Sequence, residues 1–155
     1  MSDDPFDPVR AARHVLRSAS TGSLGTVDED GGPFTSLVTV ATTPAGAPLL
    51  LLSDLALHTR NLKRDPRAAL LLVAPGGEGG DPLAGARLTI TGRIARDDDT
   101  AHRRRFVSRH AEAGGYAGFA DIALYRLDMA RANLVAGFGR IVGLGPDDLL
   151  TDMTG

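Results

Sequence analysis

The chain has 155 residues, a formal charge of −2, 43% hydrophobic and 23% charged residues, and no cysteine. Its length suits one domain, and its charge gives no global field for nucleic acid or an anionic membrane. The lack of cysteine excludes disulfides, thiolate metal sites and thiol catalysis. Four histidines (His14, His58, His102 and His110) are too scattered for a paired metal motif. No apolar run approaches the roughly 20 residues of a membrane-spanning helix, and the acidic start MSDDPFDP lacks a signal-like apolar region. The expectation is a single cytoplasmic domain over residues 1–155, with 1–7 and 145–155 as loose tails.

Asp7-Pro8 opens a helix as N-cap and first helical residue, and Val9, Ala12, Val15, Leu16 and Ala19 form its apolar face. Ser23 to Val27 reads as a strand, followed by an Asp-Gly turn ending at Gly32. Phe34 to Thr42 and Pro48 to Ser53 read as a hairpin around Pro44-Ala-Gly46. Ser53-Asp54 reads as the N-cap of a short helix over Leu55 to Arg64, stopped by Asp65-Pro66. Arg67 to Ala74 is a strand, Pro75 to Pro82 a glycine-rich loop, and Ala86 to Arg96 a long alternating strand. Asp97 to Thr100 cap a basic helix running to about His110, placing acids at its positive end. Ala113-Gly-Gly115 breaks it, and Ile122 to Leu127 and Ala132 to Val142 are the last strands. Hairpins with few helices predict a mainly β protein, a barrel of six to seven mostly antiparallel strands with peripheral helices.

The segment from Leu51 to Pro66 carries the densest chemistry. A strand delivers Ser53 to a helix start, followed by His58, Thr59, Arg60 and Asn61. Hydroxyl, guanidinium and free helix amides suit a phosphate, and a capped helix with a solvated basic face uses the same residues. Gly137-Phe138-Gly139-Arg140 likewise fits either an aromatic and arginine against a flat ring or a strand bulge around a core phenylalanine. His102 to Arg105, with Arg109 and His110, reads as a basic, solvated helix side, with closing over an anionic cofactor or docking a partner subunit as the alternative.

Pro33-x-x-Ser36-x-Val38, together with Ser53-x-Leu55-Ala56-x-His58-Thr59-x-Asn61-Leu62-x-x-Asp65-Pro66-Arg67, resembles the flavin-binding region of the pyridoxamine-phosphate-oxidase-like superfamily. His-Thr-x-Asn-Leu, the run Tyr116 to Arg126, and Gly137 to Arg140 are similar to its haem-utilisation branch. The resemblance covers about residues 8 to 143. It implies an FMN-binding split barrel with the flavin at a homodimer interface, contacted by Ser36, Val38, Ser53, His58, Thr59, Arg60, Asn61, Phe138 and Arg140. It also implies an oxidoreductase acting on a small redox substrate. His58 stands where many relatives carry lysine. The resemblance implies a haem ligand that is a histidine on a C-terminal tail or extra domain, and no histidine follows His110. The expectation is therefore FMN as native cofactor. Haem is the alternative, on a haem-binding or haem-degrading protein of the same scaffold, and a non-catalytic flavin carrier is a third reading.

Overall fold

The computed structural model describes residues 5–74, 85–137 and 139–151. Helix α1 (Pro8–Ser18) starts as its sequence dictates: the Asp7 carboxylate accepts from the Arg10 amide at 3.1 Å, and Pro8 occupies the first turn. Its Ala12, Val15 and Leu16 are buried in the main core.

Strands β1 (Thr21–Val27), β2 (Pro33–Thr39), β3 (Ala41–Thr42) and β4 (Pro48–Ser53) precede α2 (Leu57–Arg64). Then follow β5 (Arg67–Val73), β6 (Ala86–Arg96), α3 (Thr100–Arg109), a 3-10 turn over Ala111–Gly115, β7 (Ile122–Ala136), β8 (Ile141–Leu144) and α4 (Pro146–Leu149). One sheet runs in the order β2-β1-β5-β6-β7-β4-β3, with β8 beside β7, and every pairing is antiparallel.

That order fixes the shape. The two edge strands, β2 and β3, are consecutive in the chain and separated by Val40 alone. Seven flat strands would hold their edges roughly 29 Å apart, whereas two residues span about 7 Å at most. The sheet must therefore curl until its edges meet, which makes a split barrel. Both backbone groups of Val40 are held at this seam: its N–H donates to the Ser20 carbonyl at 2.9 Å, and its carbonyl lies 2.7 Å from His110 Nε2. A carbonyl only accepts, so the buried His110 ring carries its hydrogen on Nε2. Leu24, Leu50, Leu52, Leu70, Leu72, Leu88, Ile90, Leu127 and Leu134 fill the interior. A second cluster outside β4, centred on Phe106, Leu49 and Leu124, attaches α3.

The mainly β split barrel with peripheral helices is thus the fold expected from the sequence. Four local expectations are corrected. Phe34 to Thr42 is not one strand hairpinned to Pro48–Ser53: β2 pairs with β1, and only Ala41 and Thr42 pair with β4, because the chain changes edge at Val40. The last strands divide differently. β7 runs unbroken through Asp128 to Ala136, with a register shift opposite Thr91 and Gly92, and β8 starts at Ile141. The tail from residue 145 is not loose as far as 149, since α4 forms there, buries Leu149 and offers the Asp148 carbonyl to Arg13 at 2.8 Å. The fourth, the start of α2, belongs with the site. The glycine-rich segment between Pro75 and Pro82 lies outside the described residues. Among the described residues no helix is long and apolar enough to cross a membrane.

Gly92 makes the β7 irregularity possible. A Cβ there would overlap the Asp128 carbonyl oxygen and lie 2.9 Å from Met129 Cα, both backbone atoms. Gly92→Ala should therefore destabilise by about 1–3 kcal/mol through forced backbone shifts. Gly25→Ala, whose Cβ meets only Ala69 at 3.6 Å, should change stability little. Urea unfolding of both variants checks the contrast.

Candidate functional site

Strand β4 ends at Ser53, whose hydroxyl does two jobs before any helix starts. It accepts from the Leu55 amide at 3.1 Å and donates to the Asp121 carboxylate at 2.9 Å. The Asp54 amide also donates to the Asp121 carbonyl at 2.7 Å, and Ala56 N–H closes a turn on the Ser53 carbonyl. The helix consequently begins at Leu57 with Ala56 as N-cap and no side-chain cap. This corrects the expected helix over Leu55 to Arg64 capped by Ser53-Asp54: the hydroxyl is spent on the turn and on Asp121. Sequence reading missed Asp121 because it lies 68 positions away.

Helix α2 lies over β1 and β2. Asn61 Nδ2 donates to Thr26 Oγ1 at 3.0 Å in the interior, and Leu62 enters the core. Thr59 and Asn61 are fully buried, and Thr59 Oγ1 and Asn61 Oδ1 have no partner among the described residues. His58, half-buried, lies toward β2 with its Nδ1 2.9 Å from Ser36 Oγ. Burial pushes the His58 pKa below the usual imidazole value, so the ring is neutral at neutral pH. Its Nε2 makes no hydrogen bond to a described residue. Arg60 is exposed.

The fold therefore joins Ser36 to His58 and places Ser53, Thr59, Arg60 and Asn61 around the start of the same helix. Val38 is a core residue of β2. Arg140 lies beyond the far end of β7 from Ile122, the partner of Ser53, and its guanidinium stacks 4.5 Å above the Phe6 ring. One chain does not bring it to His58. Phe138 lies outside the described residues.

The turns knitted together by Asp121 also present apolar surface. Leu55 is 73% exposed, Phe119 59%, and Leu57 and Tyr116 are exposed beside them in sequence. The Phe119 carbonyl accepts from Ile122 N–H, so the residue is held at the root of β7. This apolar lip adjoins His58 along the chain.

A second polar cluster escaped the sequence reading, which grouped Asp97, Asp98 and Asp99 as capping acids and put His102 on a solvated face. Only Asp99 caps α3, through the amides of Ala101 and His102. Asp97 is buried, with His102 Nδ1 at 2.8 Å and Arg126 Nη1 at 3.1 Å from one oxygen and the Asp99 amide on the other. Burial opposes its ionisation, but the Asp99 amide, His102 and Arg126 outweigh it and hold the pKa below the usual carboxylate range.

The split-barrel fold places the chain in a family, and the sequence agrees: it is a member of the pyridoxamine 5'-phosphate oxidase family, whose model matches residues 9–136. It is similar to the chloroplastic non-canonical haem oxygenase HOZ of Arabidopsis thaliana, with 30% identity over 85% of this chain and 41% of that protein. It is 28% identical to haem oxygenase HutZ of Vibrio cholerae over 89% of this chain and 81% of the relative. Among solved structures, the haem-binding protein of Mycobacterium smegmatis superposes with a TM-score of 0.87 and 34% identity, over 94% of this chain and 61% of that one. The chain thus spans less than half of the plant relative and under two thirds of the mycobacterial one.

These relatives reverse the cofactor ranking expected from the sequence. FMN stood first there because the Ser36 to Asn61 motif resembles a flavin phosphate site and the tail lacks histidine. The chain is instead similar, over most of its length, to two haem oxygenases and a haem-binding protein.

The Asp97 cluster yields a pH test. A carboxyl whose folded pKa is depressed adds stability above its unfolded pKa, about 3.9, and loses it as pH falls through the folded value. Asp97→Asn should cost about 1–3 kcal/mol at pH 7. The gap to the native protein should narrow below about pH 4. Denaturant unfolding at pH 7 and pH 3 checks this, and an equal gap at both would remove Asp97 from the acid response.

Proposed function

We propose that this chain is a haem-utilisation protein that binds haem at the α2 lip and supports its oxidative degradation. The observation that carries the proposal is His58. Its ring is neutral, its Nδ1 is braced by Ser36, and its Nε2 is unengaged beside exposed Leu55 and Leu57. A metal-ligating imidazole must be neutral, and a hydrogen bond at the other nitrogen fixes its tautomer and orientation. With Nδ1–H donating to Ser36, Nε2 keeps its lone pair for iron. The apolar lip offers contact to a flat macrocycle, and Arg60 can meet a propionate. Bound haem would supply the redox chemistry. The chain's own residues would hold, orient and shield it. The haem oxygenases to which the chain is similar support the degradative half of the reading.

A second copy completes the assembly in this reading. Leu37 (76% exposed) and Leu71 flank Ser23 in one row across the outer face of β2-β1-β5, an apolar row left open by the single chain. A stable homodimer covering it should bury at least about 2,000 Å². Sedimentation should show a dimer at micromolar concentration and a monomer for Leu37→Asp. A monomeric native protein would contradict the dimer.

Hemin titration tests the haem reading. The native protein should give a Soret endpoint at one haem per chain, and His58→Ala should weaken binding about tenfold or more. Retained affinity in the variant would free His58 of the role. Adding ascorbate in air to the complex should bleach the Soret band, and an unchanged band would refute degradation while leaving binding intact.

A further inference from the structure

Helix α3 carries more positive charge than the site above uses. Arg104, Arg105 and Arg109 line a cleft of about 590 Å³ between α3, β3 and the end of α1, and Arg17 of α1 faces them across it. That volume suits a small-molecule ligand. Small residues (Ala19, Ala41 and Ala101) leave the space open. No acidic residue lines the cleft, although the chain has 19 aspartates and glutamates and a net charge of −2.

The four guanidinium groups are positioned but not neutralised. Arg105 Nε donates to the Thr42 carbonyl at 2.7 Å, Arg109 Nη2 to the Ser18 carbonyl at 2.8 Å, and Arg17 Nη2 to the Pro44 carbonyl at 3.0 Å. Each such bond fixes the side chain while most of the five donors of each fork remain. Arg104 makes no hydrogen bond or ion pair among the described residues. None of the four meets a carboxylate there, whereas Arg67, Arg96 and Arg126 each do. The negative ends of α1 and α3 account for Arg17 and Arg109 in their last turns. They do not account for Arg104 and Arg105 in the middle of α3, where the clustered like charges repel one another. An anion in the cleft would relieve that repulsion.

We infer that this cleft is a binding site for a small organic polyanion carrying at least two phosphate or carboxylate groups. Guanidinium forks match both groups in bidentate geometry. Four of them around one space favour a ligand with several charges over a monoanion. The site shares no residue with the His58 lip and stands whether or not haem binds there.

Isothermal titration of the full chain with pyrophosphate and with citrate, each against sodium chloride of equal ionic strength, tests the inference. The expected result is one site per chain for at least one of them, in the micromolar range. Pyrophosphate alone would assign a phosphorylated ligand, and citrate alone a polycarboxylate. Arg104 is exposed and makes no hydrogen bond or ion pair among the described residues, so Arg104→Ala should fold normally. It should weaken binding about tenfold, as loss of a charge-assisted bond does. Arg104→Glu should abolish it. No heat from either anion beyond the chloride control, or full affinity in both Arg104 variants, would overturn the site.

Discussion

The structure depends on the seam at Val40. One residue joins the two edge strands of a seven-strand path, and everything else in the barrel follows from holding it in place. The means are modest: one backbone bond to Ser20 and one bond from a buried imidazole, His110. His110 closes α3, so the helix outside the barrel is fastened to the closure itself. The tilted stacking of Phe106 and His110, with ring centres 5.0 Å apart, packs that fastening against the outer core. A buried polar bond of this kind is expensive to leave unmade, and so specifies one arrangement of the edges.

Closure then sets the chemistry. β2 brings Ser36 to the seam's edge, and α2, released from β4 by the Ser53 turn, drops across β1 and β2 so that His58 meets Ser36. Asn61 reaches through to Thr26, which locks the helix's rotation about its own axis. Thr59 Oγ1 and the side-chain Oδ1 of Asn61, without a partner among the described residues, are costly and mark the underside of α2 as a place shaped by more than packing. The same scaffold holds positive charge elsewhere, on α3, away from this helix. Neutral imidazole and apolar lip on one side, guanidinium groups that meet no carboxylate among the described residues on another, are two environments with different ligand preferences.

Much of this was legible in the sequence, and the failures have physical causes. β6 alternates cleanly, and its expected span, Ala86 to Arg96, is the span found. Asp7 and Asp99 cap their helices as local chemistry requires. What a pattern of alternation cannot encode is partner choice. The residues on both sides of Val40 look like one strand, yet pair with opposite edges. In β7, exposed Ala130 and Arg131 follow one another because a bulge shifts the phase, so one strand reads as two. The three aspartates from Asp97 to Asp99 are chemically identical in sequence and separate only by burial. In the candidate site, the Ser36 to Asn61 motif pointed to α2, where Ser36 meets His58, but motif resemblance alone favoured a phosphate. Half-burial lowers the pKa of His58 and so favours its neutral form further, which no single-sequence pattern reveals.

The central claim is that a neutral, serine-braced His58 offers its Nε2 to haem iron. Resonance Raman spectroscopy of the ferrous haem complex reads that bond directly. The account predicts an iron–histidine stretching band in the native protein that disappears in His58→Gly and returns, shifted, when free imidazole is added to the variant. An identical band in native and His58→Gly protein would contradict it.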